Sequence, residues 1–394
     1  MIVGGGLEPD NKSIYEDYIS LAGGKEYAKI AVIPSAGGVP MQSFVIFKST
    51  LMSYGIPSDH IYLINIAMID DDSTTNVDES TWSKNANNVE LADIVNECTA
   101  VWFTGGDQLR TTQTMKNEDG TNSLVLNAVW ELYNKGGVIG GTSAGAAIMS
   151  EIMIGDGNSL SALKNGVSIY NKAHEFKPDD GVLVTKGLGF FPGGIVDQHF
   201  QQRNRLGRLI VTLLNSKDDF NRAFGVDENT ALIYLAGENK IKVAGESGVT
   251  IIDTKFVEGS PLNYNSIENL RLSYLENGDS FDLATNTITP AAGKKATVGS
   301  EYYDHKALQE GIFSDRSSGF RDLITKDLMD NKTNSFVQNI SFIGNEKGFL
   351  VKFSKLPESE GYYIDNEHKK DGYTVGNIRM DITAVGLSIS PINK

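Results

Sequence analysis

The chain of 394 residues is acidic, with a formal net charge of −15, and 40% of its residues are hydrophobic. This length and apolar content suit two domains, or one large domain with an appendage. The charge argues against nucleic acids and anionic membranes as partners, and no apolar run reaches the roughly 18 residues of a membrane span. Because Cys98 is the one cysteine, an internal disulfide is excluded.

Short apolar segments alternate with segments of helical spacing over the first 135 residues. Strands are predicted at 1–6, 29–34, 61–66 and 100–104. Helices are predicted at 13–21, 44–54, 89–96 and 123–133, and residues 70–88 read as a polar loop or insertion. This alternation predicts an α/β fold with a mainly parallel, doubly wound sheet, in which ligands gather at the carboxyl ends of the strands.

A short apolar strand at residues 136–141 leads into the sequence GTSAG at 141–145, which can open a helix. This Gly-x-Ser-x-Gly pattern is typical of an elbow that lifts a serine onto a strained turn, where the glycines prevent crowding. Free N–H groups at the start of the helix would stabilise negative charge beside Ser143. A plain tight turn is the alternative interpretation, because the chain contains 41 glycines.

The rest of the chain changes character after about residue 284. Before that point, strands are predicted at 182–184, 195–200 and 223–228, a helix at 203–214 and antiparallel strands within 231–256. After it, the sequence is polar and rich in Gly and Asn, with a helix predicted at 319–329 and short strands at 335–342, 348–353 and 381–389. We therefore predict a domain at 1–284 and a mainly β appendage of unknown role at 285–394.

A serine nucleophile requires a base, a group that orients the base, and donors for the oxyanion. Of the five histidines, His199 stands out because it follows an apolar strand and precedes an arginine-rich segment. Glu228, after the next strand, is the first choice for the orienting acid. Three other acids remain open for this role: Asp227, Asp156 and Glu151. The N–H groups of Ala144 and Gly106 are the candidate oxyanion donors.

Arginines follow His199 at spacings of two and three residues, at positions 203, 205 and 208. A carboxylate clamp is the favoured function, since the rigid guanidinium fork pairs well with carboxylates. An exposed basic helix edge is the alternative. A metal site at His174, Asp197 and His199 is disfavoured, because these residues match no recognised metal-ligand spacing.

With the sequences GGDQ at 105–108, GTSAG at 141–145, DQHF at 197–200 and DENTAL at 227–232 in this order, the chain resembles the cyanophycinase and aspartyl dipeptidase family of serine peptidases. The resemblance covers about residues 1–284, and the DQHF sequence with its arginines is the specific part. Residues 151–180 match the family poorly, and the appendage is extra. The resemblance implies a glutamine-amidotransferase-like, flavodoxin-like fold, a bacterial origin, a homodimer, and no metal or organic cofactor.

The resemblance also implies hydrolysis of cyanophycin, a poly-aspartate backbone with arginine on each β-carboxyl, to β-aspartyl-arginine dipeptides through an acyl-enzyme. By matching motif, Ser143 is the nucleophile, His199 the base and Glu228 the orienting acid. The matching pocket residues are Gln108, Asp197, Gln198, Arg203, Arg205 and Arg208. In this pocket the arginines suit the aspartate carboxylates, and Asp197 or another acid suits the guanidinium.

Two other functions remain open at this point. One is hydrolysis of ordinary Asp-X dipeptides, and the other is a catalytically idle relative that binds an acidic peptide or glycan. The compartment is left open by the sequence: it is the cytoplasm, or an exported location if a leader peptide precedes the first strand.

Overall fold

The computed structural model describes residues 1–170, 175–177, 179–257, 264, 266–307, 319–343, 347–366, 370–386 and 388. Parallel strands form the centre of the first sheet: β1 (Ile2–Val3), β2 (Ile30–Ile33), β3 (Ile61–Leu63), β4 (Ala100–Phe103) and β5 (Val138–Thr142). The helices between and after them are α1 (Lys12–Leu21), α2 (Pro40–Ser53), α3 (Val89–Glu97), α4 (Gln108–Met115), α5 (Leu124–Asn134) and α6 (Ala144–Ala147). The predicted alternation of strands and helices is confirmed here.

Short 3₁₀ segments lie at Ser58–His60 and Glu79–Asn87. The second of them corrects the prediction of a polar loop at 70–88, whose latter half is helical. Its N-cap is Asp78, whose side chain accepts a hydrogen bond from the N–H of Ser80. Capping by a short acidic side chain thus starts a helical segment where composition alone indicated a loop.

Helices cover both faces of the parallel strands, which run in the order β1-β5-β4-β2-β3. On one face Trp102 of β4 packs between Tyr18 of α1 and Phe47 of α2, with ring centroids 5.0 and 4.6 Å apart. On the other face Val101 belongs to a buried cluster with residues of α3 and α5. The carboxyl ends of the strands meet at one edge, which brings residues 104–106 beside Ser143.

Further strands extend or flank this sheet. A small sheet holds β6 (Ile152–Gly157), β7 (Val167–Ile169) and β8 (Val182–Lys186), with α7 (Ser159–Asn165) between its strands. Next come β9 (Ile195–Asp197), α8 (Leu206–Asn215), β10 (Arg222–Val226), β11 (Thr230–Leu235), β12 (Lys240–Gly245), β13 (Gly248–Asp253), β14 (Ser266–Glu276), β15 (Ser280–Asp282) and β16 (Thr287–Thr289). Strands β11 and β12 pair antiparallel, as do β10 and β13, which confirms the antiparallel prediction for 231–256.

The C-terminal part is rich in β-structure. Its elements are β17 (Lys295–Ala296), α9 (Phe320–Ile324), a π-helical turn at Thr325–Met329, β18 (Phe336–Ile343), β19 (Lys347–Ser354), β20 (Glu360–Ile364) and β21 (Gly372–Gly386). Strand β21 begins nine residues before the predicted strand at 381–389, of which residues 387 and 389 lie outside the described part.

The appendage continues a sheet that begins in the first 284 residues. This second sheet runs in the order β17-β20-β21-β14-β13-β10-β9, and β19 joins β21 to β18. Buried ion pairs cross the same junction, from Arg321 to Glu276 at 2.5 Å and from Lys294 to Asp279 at 2.9 Å. The domain boundary predicted at residue 284 stays a prediction.

Candidate active site

Ser143 lies on a strained turn between β5 and α6. Its φ and ψ are 54° and −111°, a combination that a residue with a side chain rarely adopts. A Cβ added at Gly141 would lie 2.4 Å from the carbonyl oxygen of Gly145, and one at Gly145 would lie 2.3 Å from that of Phe103. The elbow therefore requires glycine on both sides of the serine, as the motif predicted.

The side chains of Ser143, His199 and Glu228 form one hydrogen-bonded line. The Oγ of Ser143 lies 2.8 Å from Nε2 of His199, and Nδ1 of His199 lies 2.5 Å from Oε1 of Glu228. His199 is 7% exposed. Burial lowers the pKa of His199 below its ordinary value, although the hydrogen bond that its Nδ1–H donates to Glu228 opposes this shift. The imidazole is therefore neutral at neutral pH and able to accept a proton from Ser143.

The acids left open by the sequence lie elsewhere. Asp227 is fully buried and accepts hydrogen bonds from Nε2 of Gln201 at 2.6 Å and from Oγ of Ser247 at 2.8 Å. Asp156 and Glu151 are exposed. Among the described residues, Glu228 is the acid that contacts His199. Asp227 also accepts a hydrogen bond from the N–H of Gln201 at 3.0 Å, and it therefore holds the segment that carries His199.

A glycine run at the end of β1 packs against His199 and Glu228. A Cβ added at Gly5 would lie 2.2 Å from Cε1 of His199, and one at Gly6 would lie 3.1 Å from Oε2 of Glu228. One at Gly4 would lie 2.1 Å from the carbonyl oxygen of Asp227. The strand predicted at 1–6 did not include this role, although three consecutive glycines are a signal of close approach.

The N–H groups of Gly106 and Ala144 flank Ser143. In the described part of the chain neither donates a hydrogen bond. Gly106 has a φ of 142°, and a Cβ there would lie 2.0 Å from the carbonyl oxygen of Ala36. A Cβ on Gly105 would lie 3.3 Å from Cβ of Ser143. The backbone at residues 105–106 therefore approaches the serine closely.

A cavity of about 440 Å³ opens beside Ser143. Side chains of both charge signs line it, among them Asp156, Glu175, Arg203 and Arg205. Nε2 of Gln108 donates to the carbonyl oxygens of residues 154 and 155, so its Oε1 is left as an acceptor. Oε1 of Gln198 is buried and has no hydrogen-bond partner in the described part of the chain. The cavity can thus pair with a cation and an anion on one ligand.

Asp197 and Arg208 form a buried pair at the wall of this cavity, which Arg208 lines. They are 1% and 3% exposed, and the guanidinium donates to both carboxylate oxygens at 2.8 and 2.6 Å. Nη1 of Arg205 donates to the carbonyl oxygen of Gln198 at 2.6 Å. Burial lowers the pKa of Arg205, and the charge of Arg208 acts in the same direction, whereas Asp197 opposes it.

The predicted helix at 203–214 begins three residues late. Helix α8 starts at Leu206, so Arg203 and Arg205 lie in the turn before it and the three arginines do not share a helix face. The backbone N–H groups of these two arginines donate to the carbonyl oxygens of His199 and Phe200, both at 3.0 Å. These bonds close a turn. Because Asn204 has a positive φ of 50°, which is not helical, the helix begins only after this turn.

The remaining chemistry-bearing groups add nothing to this site. Within the described residues, no group of three or more His, Cys, Asp or Glu side chains is placed to hold a metal ion. His174 of the disfavoured metal hypothesis lies outside the described residues.

In the part of the chain that the structure describes, no helix is long and apolar enough to span a membrane.

The chain is similar in sequence to a known family of proteins. Residues 73–242 match the family model described as Peptidase family S51. The chain is 30% identical over 297 residues to a cyanophycinase of Synechococcus elongatus, covering 73% of this chain and 80% of that protein. It is 28% identical over 306 residues to a cyanophycinase of Geminocystis herdmanii, covering 74% and 96%. A solved peptidase from an acI-B1 Actinobacterium is 19% identical, with a TM-score of 0.46 over 71% of this chain and 94% of that one.

Proposed function

The chain belongs to peptidase family S51 and is a serine-type peptidase, and on this basis we propose that it hydrolyses cyanophycin or related β-aspartyl peptides and releases β-aspartyl-arginine dipeptides. The observation that carries the proposal is the hydrogen-bonded line from Ser143 through His199 to Glu228 at the edge of a cavity with both acidic and basic side chains. The finer fold description, a glutamine-amidotransferase-like sheet, and the homodimer stay predictions from the family resemblance.

In the proposed mechanism, Oγ of Ser143 attacks the carbonyl carbon of the scissile amide while Nε2 of His199 accepts its proton. Glu228 holds the imidazole through Nδ1 and stabilises the imidazolium that forms. The N–H groups of Gly106 and Ala144 donate to the oxyanion. His199 then returns the proton to the leaving amine, which leaves an acyl-enzyme that water hydrolyses by the same steps.

The cavity supports a substrate that carries both carboxylates and a guanidinium. Arg203 and Arg205 are assigned to a substrate carboxylate, which guanidinium forks bind with two parallel hydrogen bonds. Asp156 and Glu175 are assigned to the substrate guanidinium, since Asp197 is already paired with Arg208.

The buried pair of Asp197 with Arg208, and the glutamines at 108 and 198, have indirect or accessory roles in the proposed mechanism. Asp197 and Arg208 act indirectly, by holding the backbone and side chains that face the substrate. The side-chain oxygens of Gln108 and Gln198 are assigned as further acceptors for the guanidinium N–H groups.

The experiment is the release of β-aspartyl-arginine from purified cyanophycin, measured by liquid chromatography and mass spectrometry. Wild-type protein is compared with Ser143→Ala and with Ser53→Ala, a control at the exposed end of α2. Aspartyl dipeptides with other C-terminal residues are tested in parallel. We expect release by the wild type and the control and none by Ser143→Ala.

Other outcomes distinguish the alternatives. Cleavage of Asp-X dipeptides without cleavage of cyanophycin would keep the mechanism and replace the substrate. If neither substrate is cleaved by a folded wild-type protein, the chain is a binding relative and the proposal fails.

A further inference from the structure

Buried carboxylates in the loop after β3 take no part in the site described above. Asp71 is 8% exposed, and Glu79, at the start of the 3₁₀ segment Glu79–Asn87, is 0% exposed. The loop between them is rich in oxygen-bearing side chains, with the sequence DDSTTNVDE at 71–79. Acidic side chains are almost never fully buried unless they are paired.

Hydrogen bonds close the loop so that both carboxylates lie at its base. The N–H of Glu79 donates to Oδ1 of Asp70 at 2.9 Å, and the N–H of Asp71 donates to Oε2 of Glu79 at 3.3 Å. Oδ1 of Asp71 accepts from the N–H of Ser73 at 3.0 Å and from its Oγ at 2.7 Å. The carboxylate of Glu79 therefore lies against the backbone of Asp71.

The other oxygen of each carboxylate is left unsatisfied. Oδ2 of Asp71 and Oε1 of Glu79 are buried and have no hydrogen-bond partner in the described part of the chain. No Lys, Arg or His among the described residues forms an ion pair with either side chain. Because buried charges are stable when they are paired or bound to a metal ion, these two oxygens are candidate ligands of a cation.

We propose that the loop at residues 70–79 binds a calcium ion, with Oε1 of Glu79 and Oδ2 of Asp71 as its carboxylate ligands. Every donor in the loop is an oxygen, from carboxylates, hydroxyls, an amide or the backbone, and the loop has no His or Cys. Calcium takes six to eight oxygen ligands in flexible geometry, whereas zinc prefers nitrogen and sulfur and magnesium demands a strict octahedron. Two carboxylates imply a weak site, with a Kd on the order of 10⁻⁴ M.

The position of the loop gives the ion a stabilising role. The segment Glu79–Asn87 packs on α3, α4 and α5. Helix α4 begins at Gln108, which lines the cavity beside Ser143. Calcium would therefore brace the helix that forms one wall of the cavity, without touching the reacting atoms. This inference does not depend on the proposed substrate.

The test is calcium binding by the whole chain after treatment with a chelator, measured by titration calorimetry with calcium chloride alone. Terbium luminescence gives a second readout, because Trp82 lies one helical turn from Glu79 and can sensitise a bound lanthanide. We expect one ion per chain, calcium-dependent terbium displacement, a higher unfolding temperature with calcium, and much weaker competition by magnesium.

Variants locate the site. Glu79→Gln and Asp71→Asn should weaken calcium binding by about tenfold or more. Asp119→Asn is the matched control, since Asp119 accepts the same pair of hydrogen bonds, from the N–H and Oγ1 of Thr121, but is exposed. It should bind calcium like the wild type.

Several outcomes would overturn the proposal. If the wild-type protein shows no calorimetric calcium binding and no sensitised terbium emission, the site is excluded, whether or not the variants fold. Equal affinity for magnesium would exclude calcium selectivity. Binding that is unchanged in a folded Glu79→Gln variant, or weakened as much in Asp119→Asn, would place the ion elsewhere.

Discussion

The imidazole of His199 lies directly against the backbone of Gly5, so closely that a Cβ at position 5 would be 2.2 Å from Cε1 and 2.3 Å from Nε2. Gly5 has a φ of 105°, and the N–H of His199 donates to the carbonyl oxygen of Gly4 at 2.6 Å. The end of β1 therefore fixes both the position of the imidazole relative to Ser143 and the orientation of its ring. Gly5, far away in sequence, therefore contacts the imidazole directly.

Gly5→Ala should abolish most activity while the chain remains folded. The methyl group would push the imidazole away from Ser143, and a displacement of about 1 Å can cost 100-fold in rate. The measurement is kcat/KM on cyanophycin, with circular dichroism to check the fold. Gly24→Ala is the control, because Gly24 also has a positive φ, 85°, but its added Cβ meets nothing within 4 Å. Equal activity of both variants would show that Gly5 does not position the base.

Glu228→Gln should lower kcat by about 10²- to 10⁴-fold and move the acid limb of the pH–rate profile. Burial lowers the pKa of His199, so the wild-type limb should lie below the ordinary histidine value of about 6.5. Glu228 raises the pKa of His199, so removing its charge should move the limb to still lower pH. The exposed Glu238→Gln is the control. A limb that moves to higher pH in Glu228→Gln would contradict this assignment.

The local part of the site could be predicted from the sequence, because the elbow, the histidine and the acid each follow an apolar strand. Ser143 follows β5 of the first sheet, whereas His199 and Glu228 follow β9 and β10 of the second sheet, so the family resemblance and not a shared sheet edge predicted the three together. The late start of α8 could not be predicted in this way. It depends on bonds from the N–H groups of Arg203 and Arg205 back to residues 199 and 200, which compete with helical spacing.

Long-range partners account for the rest of what the sequence does not indicate. The sequence indicates Asp197 and Arg208 as two separate pocket residues. In the structure, Arg208 donates hydrogen bonds to both carboxylate oxygens of Asp197, and both side chains are buried. The approach of Gly5 to His199 joins residues 194 positions apart and leaves no periodic pattern. The pairing of β21 with β14 is of the same kind, because strand propensity does not identify a partner more than 100 residues away.

Arg205→Lys should raise KM by about 10- to 100-fold with a smaller change in kcat. A lysine keeps the charge but loses the two-pronged hydrogen bonding to a carboxylate, and hydrogen bonds to charged groups contribute enough to account for this factor. Steady-state kinetics on cyanophycin gives both constants. Arg110→Lys is the control, because Arg110 forms only a partly exposed ion pair, in which its Nε lies 3.7 Å from Oδ2 of Asp107. If kcat falls while KM is unchanged, Arg205 does not bind the substrate in the ground state.

Arg321→Met should destabilise the protein through the junction between the appendage and the second sheet. The guanidinium donates to both oxygens of Glu276, at 2.5 and 3.1 Å, and also to the carbonyl oxygen of Asp371. Glu276 accepts in addition from the N–H of Tyr373 at 2.7 Å. Removing the cation leaves this carboxylate buried without its charge partner, which typically costs about 3–5 kcal/mol.

Urea unfolding checks this expectation, with Lys135→Met as the control. Lys135 pairs with Glu131 at 3.7 Å on the surface, where such pairs contribute about 1 kcal/mol or less. The double variant Arg321→Met with Glu276→Gln should recover part of the loss, because it removes the unpaired charge as well. A single variant as stable as the control would show that the buried pair does not hold the appendage to the sheet. Recovery in the double variant would show that the lost free energy of unfolding comes from the unpaired carboxylate of Glu276 and not from lost packing.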